Sequence, residues 1–225
     1  LTALAGKYVK RWITASASLL ATVINEKTHF GAVAGNRRKL TPYISASFKP
    51  FRSEELRIRG YYKDIFRLPT FNDLYYTEVG NTGLSPEKTT QYNLGITYGK
   101  EINRFIPYAS ATVDAYYNKI EDKIIAIPTK NIFIWSMVNL GEVEIKGLDA
   151  TATITMEPLQ NIRLNLSGSY TYQRALDVTD PEGKTYNQQI AYTPRVSGSG
   201  QAGLETPWVN LSYSFVHSGK RYVLG

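Results

Sequence analysis

From Thr90 to Gly99 the chain alternates with a period of two. Thr90, Tyr92, Leu94, Ile96 and Tyr98 share one side, and Gln91, Asn93, Gly95, Thr97 and Gly99 share the other. Successive side chains of a β-strand point to opposite faces, so this spacing predicts a strand with one apolar and one polar face. The apolar side opens and closes with tyrosine around an aliphatic centre. A strand that crosses a lipid core between two polar interfaces needs that order of residues.

The pattern recurs along the sequence. Ile162, Leu164, Leu166, Gly168, Tyr170 and Tyr172 oppose Arg163, Asn165, Ser167, Ser169, Thr171 and Gln173, and Leu56, Ile58, Gly60 and Tyr62 oppose Arg57, Arg59, Tyr61 and Lys63. Similar sets lie at 44–49, 148–156 and 209–215. About nine strands are expected, well above the ordinary share of β-structure.

The connections between them alternate in length. Short joints fall at Lys49–Glu54, Gly99–Arg104, Glu157–Gln160 and Glu205–Trp208, and long excursions at Asn25–Leu40, Phe66–Lys88, Glu121–Val138, Ala175–Ile190 and from His217 onward. Short turns gathered at one end and long loops at the other are the rhythm of an up-and-down barrel rather than of a Greek-key sandwich. Residues 1–225 are therefore expected to form one unit, a segment of an all-β, antiparallel, up-and-down transmembrane β-barrel. Nine strands are too few for a wide barrel, so a larger closed sheet is expected, and the segment has two open edges.

Composition limits the other classes. No run approaches the roughly 20 apolar residues of a spanning helix, a test that an alternating strand escapes. The absence of cysteine excludes a disulfide framework and a thiolate metal site. The net charge of +7 is spread along the chain, and only Asn36-Arg37-Arg38-Lys39 is clustered, so a solvated loop is the reading there and no nucleic acid is expected as a partner. The chain starts at Leu1 without a leader, and it is expected to be an excised piece of a longer precursor.

Two stretches carry a specific resemblance. Phe66-Arg67-Leu68-Pro69-Thr70-Phe71-Asn72-Asp73-Leu74-Tyr75-Tyr76, followed by Gly80-Asn81-Thr82-Gly83-Leu84-Ser85-Pro86-Glu87-Lys88, resembles the "F-R-x-P-x-x-x-E-L-Y…G-N-P-x-L-x-P-E-K-S" signature of TonB-dependent outer-membrane receptors. Asn139-Leu140-Gly141 through Gly147-Leu148-Asp149 resembles the family's "N-x-G-x-x-x-x-x-G-x-E" strand opening, and Ala191-Tyr192-Thr193-Pro194-Arg195 adds support. Asp73, Thr82 and Asp149 depart mildly from the family's usual Glu, Pro and Glu. The resemblance covers roughly Pro42 to Tyr222 and points to the C-terminal part of the barrel. The family's plug, energy-coupling box and terminal aromatic residue have no counterpart here. It implies a Gram-negative outer-membrane receptor surrounded by lipid. Such a receptor takes up a scarce small-molecule or metal-chelate ligand, such as an iron-siderophore, haem or cobalamin, and is coupled through its N-terminal region to the TonB energy-coupling protein.

Candidate chemistry is sparse. Gly198-Ser199-Gly200-Gln201-Ala202-Gly203 matches G-x-G-x-x-G, but turn chemistry at Glu205-Thr206-Pro207-Trp208 follows it instead of a helix, so it reads as small residues within a strand. Asp177, Asp180 and Glu182 lack the full alternating ligand set of a calcium loop. His29 and His217 read as loop histidines rather than as haem or metal ligands, and the carboxylate pairs at 121–122 and 142–144 have nothing to bring them together. No nucleophile motif, metal set or cofactor motif appears, and the expectation is a binding protein rather than an enzyme. Arg67, Asn72, Tyr75, Tyr76, Trp135 and Arg221 lie in or beside the long excursions, where aromatic and arginine side chains can anchor a bulky ligand. Interfacial or loop packing is the competing role for all six. The competing fold is a soluble β-sandwich adhesin or carbohydrate-binding module, which requires two sheets packed face to face.

Overall fold

A computed structural model describes residues 1–25, 37–51, 55–129 and 134–222. His29 and Asn36 lie outside the described residues. Among the described residues, ten strands form one antiparallel sheet in strict chain order: β1 (Thr2–Lys10), β2 (Ile13–Ile24), β3 (Arg37–Phe48), β4 (Glu55–Arg67), β5 (Glu87–Lys100), β6 (Tyr108–Pro128), β7 (Trp135–Leu159), β8 (Ile162–Asp177), β9 (Val196–Glu205) and β10 (Asn210–Ser218). A five-residue helix, α1 (Phe71–Tyr75), interrupts the connection between β4 and β5. The sandwich alternative fails here, because the described residues supply no second sheet to cover the apolar face.

Register explains why the alternation matters. The row Ile58, Ile96, Val113 and Ala150 crosses four strands, as do Gly60, Leu94, Ala115 and Leu148. Aliphatic residues therefore meet aliphatic residues across these pairs and build one continuous apolar face. Leu94 on that face is 60% exposed and Leu4, on β1, 76%. An apolar area of this extent left open on a single sheet calls for a non-aqueous environment. Tyrosine rings line one border of the belt, with Tyr62, Tyr92 and Tyr117 side by side at centroid spacings of 5.2 and 6.2 Å.

The opposite face is polar and internally bonded. Arg59 on β4 reaches across Gly95 of β5 to Asp114 of β6 at 2.5 Å, and it also donates to Thr97, which accepts from Thr112 at 3.1 Å. A Cβ at Gly95 would overlap the Asp114 carboxylate, so glycine is what lets the charge pair bridge three strands. Gly147 likewise leaves room for the Tyr116 ring.

The short connections lie at one end, including an Arg11-Trp12 turn between β1 and β2 that carries neither proline nor glycine as a turn signal. The tightest other turn, Gln160-Asn161, places Asn161 at φ 64°, a left-handed conformation that asparagine tolerates. The other end holds the long connections, with two corrections. Arg37, Arg38 and Lys39, expected in a solvated loop, open β3 and pair with β2, because that ladder continues to Ile24. The excursion expected at Glu121–Val138 is mostly strand, since β6 runs for 21 residues and β7 for 25, leaving only 129–134 between them. The alternation stops there because both environments change. Asp122 takes φ 55°, and beyond it Ile124 on the otherwise polar face is buried under a loop instead of facing water.

Candidate functional site

The long-loop end of the sheet is dominated by the connection between β4 and β5, which folds over the polar face of β6 and β7. Its geometry starts at Thr70. The Thr70 hydroxyl accepts the Asp73 N–H at 3.2 Å and the Asp73 carboxylate accepts the Thr70 N–H at 2.8 Å, a capping box that starts α1. Aspartate at position 73 is long enough to complete the box. The chain then turns back at Gly80, whose N–H donates to the Tyr76 carbonyl at 2.7 Å, and a Cβ there would overlap the backbone at Leu74 and Tyr76. Leu74 and Leu84 are driven down onto Ile124, with Tyr75 and Met137 at the margin.

Two asparagines fasten this loop to the strands. Asn81 donates to the Met137 carbonyl at 3.0 Å and accepts from the Gly83 N–H at 2.9 Å. Asn139 accepts the Ser85 N–H at 2.8 Å and donates to the carbonyls of Ser85 and Asp122 at 3.0 and 2.7 Å. The residues that carried the sequence resemblance thus meet in space, one motif bonding the other. Glu87 closes the arrangement. Its carboxylate accepts the Ile124 N–H at 3.1 Å, where β6 runs past the start of β5 and is paired only with β7, and lies 3.3 Å from Arg67.

The six residues singled out in the sequence separate into groups. Arg67 ends β4 on the polar face, 3.3 Å from Glu87 and 3.4 Å from Asp73, and is thereby tied to α1. Asn72 and Tyr76 are on the exposed side of the same loop, and Tyr76 is 61% exposed. Tyr75 packs into the loop core and against Phe71 at 5.1 Å, with its hydroxyl buried and without a hydrogen-bond partner. Trp135 opens β7, two residues from Met137 on the same face. Arg221 stands apart, beyond β10 at the sheet's edge, donating to Ser218 at 3.0 Å. Arg67, Asn72, Tyr75 and Tyr76 are therefore joined by one loop, Trp135 borders it, and Arg221 is not brought to it.

The acidic loop after β8 serves the backbone. Asp177 accepts the Thr179 N–H at 3.0 Å and the Thr185 hydroxyl at 2.8 Å, while Asp180 accepts the Glu182 N–H at 3.0 Å. Burial pushes the Asp177 carboxyl up, but the bonds from Thr179 and Thr185 outweigh it and hold its pKa below the ordinary value. No group of three or more potential metal ligands occurs among the described residues. Gly198–Gly203 lies within β9, as the small-residue reading expected, and His217 is on β10 opposite Gly198 rather than in a loop. Sequence reasoning missed the structural duty of Asn81, Asn139 and Glu87; their place inside the two motifs was the available signal.

The TonB dependent receptor-like β-barrel family matches residues 14–224. The vitamin B12 transporter BtuB of Vibrio vulnificus is 34% identical over 87 residues, 39% of this chain and 13% of that protein. The vitamin B12 transporter BtuB of Photobacterium profundum is 23% identical over 174 residues, 76% of this chain and 26% of that protein. The chain thus spans about a quarter or less of the curated relatives it matches. Among solved structures, the copper transporter OprC shares the fold with a TM-score of 0.64, over 95% of this chain and 34% of that one, at 14% identity. With its apolar outer face, polar inner face and long-loop clasp, the chain belongs to the TonB-dependent receptor family of receptors and transporters, as part of an outer-membrane β-barrel of Gram-negative bacteria.

Proposed function

We propose that residues 1–225 are one part of the barrel of an energy-coupled uptake receptor, whose remaining strands pair with the open edges of β1 and β10. The carrying observation is the loop between β4 and β5. It is bonded to the polar, lumen-facing wall by Asn81, Asn139 and Glu87, and it holds Asn72 and Tyr76 outward at the mouth. A fixed loop with an exposed aromatic residue suits capture of a bulky ligand, because little order has to be gained on binding. Arg67, Asn72, Tyr76, Trp135 and Arg221 are assigned to the ligand-facing side, and Tyr75 supports them from within the loop core. Release inward is assigned to the TonB energy-coupling protein, acting through an N-terminal region outside these residues.

Cobalamin is the first ligand to test, because two similar proteins are vitamin B12 transporters. The experiment is equilibrium binding of cyanocobalamin to the complete receptor in detergent, beside a ferric siderophore and haem. Saturable cobalamin binding that weakens about tenfold or more in Tyr76→Ala, a typical loss for a buried aromatic anchor, supports the reading. Saturable binding of another of the three replaces the ligand, and binding of any of them unaffected by Tyr76→Ala removes the loop from the site.

A further inference from the structure

The apolar face ends, toward the long loops, in a band of charge. Lys146 on β7 and Arg174 on β8 are direct cross-strand partners in this band, one row above Leu148 and Tyr172 and two above Ala150 and Tyr170. Opposed residues of an antiparallel pair project from the same face, so two cations stand side by side where the lipid-facing belt meets its polar border. Like charges in that position repel unless something negative lies between them.

The chain meets this demand only on one side. Lys146 lies 3.3 Å from Glu144 and 5.4 Å from the Tyr117 ring centroid, and Tyr117 donates to Glu144 at 2.9 Å. Lys119 is committed to Glu121 and Glu142, and Lys88 to Glu121. Arg174 is exposed and has no ion pair among the described residues. Below it, Leu148, Tyr170 and Tyr172 are 40%, 47% and 40% exposed on the same face.

We infer that Lys146 and Arg174 form a binding site for the phosphate headgroup of an anionic membrane lipid, whose acyl chain lies along Leu148, Tyr172 and Tyr170. The guanidinium supplies a paired donor edge that fits a phosphate, and Lys146 adds a second charge from the neighbouring strand. A headgroup held here cancels the repulsion between the two strands, and the apolar row directly beneath accepts the rest of the molecule. Basic clusters at the membrane border attract anionic lipids in this manner. The inference rests on the outer-membrane barrel reading.

The test is native mass spectrometry of the complete receptor in neutral detergent, titrated with dimyristoyl phosphatidylglycerol, dimyristoyl phosphatidylcholine or inorganic phosphate. The expected result is retention of phosphatidylglycerol about tenfold more tightly than phosphatidylcholine. This preference is lost in Lys146→Gln/Arg174→Gln, largely kept in Arg174→Lys and unchanged in Arg104→Gln at the short-turn end. Equal retention of the two lipids, a preference that survives the double substitution, or competition by millimolar inorganic phosphate alone would each overturn the lipid site. Heat-modifiable gel migration of the same samples separates the two failures. A receptor that migrates as a folded barrel yet shows no preference refutes the site only, and one indifferent to heating refutes the membrane reading beneath it.

Discussion

Asn139→Ala isolates the contribution of the clasp to loop order. The substitution deletes three hydrogen bonds, one accepted from the Ser85 N–H and two donated to the carbonyls of Ser85 and Asp122. Each such bond contributes about 0.5–1.5 kcal/mol net. These three are solvent-exposed, so water reaches the freed backbone groups, and the lower half of that range applies. The sum is about 2 kcal/mol, which corresponds to roughly thirtyfold more frequent opening of the loop. Hydrogen exchange of the complete receptor reads this directly. Peptides covering 79–86 should exchange roughly thirtyfold faster, whereas those covering 92–98, held by ladders on both sides, should not change. Asn139→Asp keeps an acceptor for Ser85 and should fall between. Exchange at 79–86 within threefold of the parent protein would refute the clasp, and equal acceleration in both regions would show that Asn139 acts on the whole barrel.

Three further outcomes follow from the described geometry. Leu94→Arg places a cation in the middle of the lipid-facing belt and should destabilise the barrel by about 2–4 kcal/mol in urea unfolding from lipid, while Gln91→Arg on the polar face should be nearly neutral; similar costs at both positions would argue against a lipid-facing side. Gly95→Ala forces Arg59 from Asp114, at about 1–2 kcal/mol once partial exposure of the pair is allowed for, and adding Arg59→Ala should cost little more; full additivity would mean that the two changes act independently. The depressed pKa of Asp177 makes the anchoring of the loop after β8 strongest above the ordinary value of 3.8 and progressively lost as the pH falls below it, so exchange across 178–186 should be flat from pH 7 to 5 once intrinsic rates are corrected and should rise toward pH 3, with Asp177→Asn removing the dependence.

The strands whose two faces meet lipid and polar lumen were legible as strict alternation, and β4, β5, β8 and β10 follow it nearly residue by residue. The reading weakens wherever that contrast ends. β1 carries Lys7, Lys10 and Gly6 among its apolar residues, and its short turn has no turn residue to announce it. The upper halves of β6 and β7 pack Ile124 and Val143 on the inner face beneath loops, so polar and apolar positions cease to alternate although the ladder continues in register. α1 is only five residues long and was not anticipated, its one local signal being the Thr70-x-x-Asp73 capping pair. The loop signature identified the family, but its fastening to β7 is a contact between residues more than fifty positions apart, which spacing cannot show. Of the six candidate residues, the burial of Tyr75 and the remoteness of Arg221 depend on the same long-range packing.

The hairpin of β6 and β7 is twice the length that a membrane crossing requires, since about 9–11 residues suffice for a tilted strand. Its surplus stands clear of the lipid belt and carries two separate loops. The β4–β5 connection is bonded to Met137 and Asn139, and the β8–β9 connection is bonded through Val178 and Thr179 to Glu142. Loops that hang from one rigid support do not wander independently. Much of the configurational freedom of the β4–β5 connection has already been surrendered during folding, when the loss was offset by the burial of Leu74, Leu84 and Ile124. Both connections are therefore geared to one hairpin, and slight bending of that hairpin displaces them together.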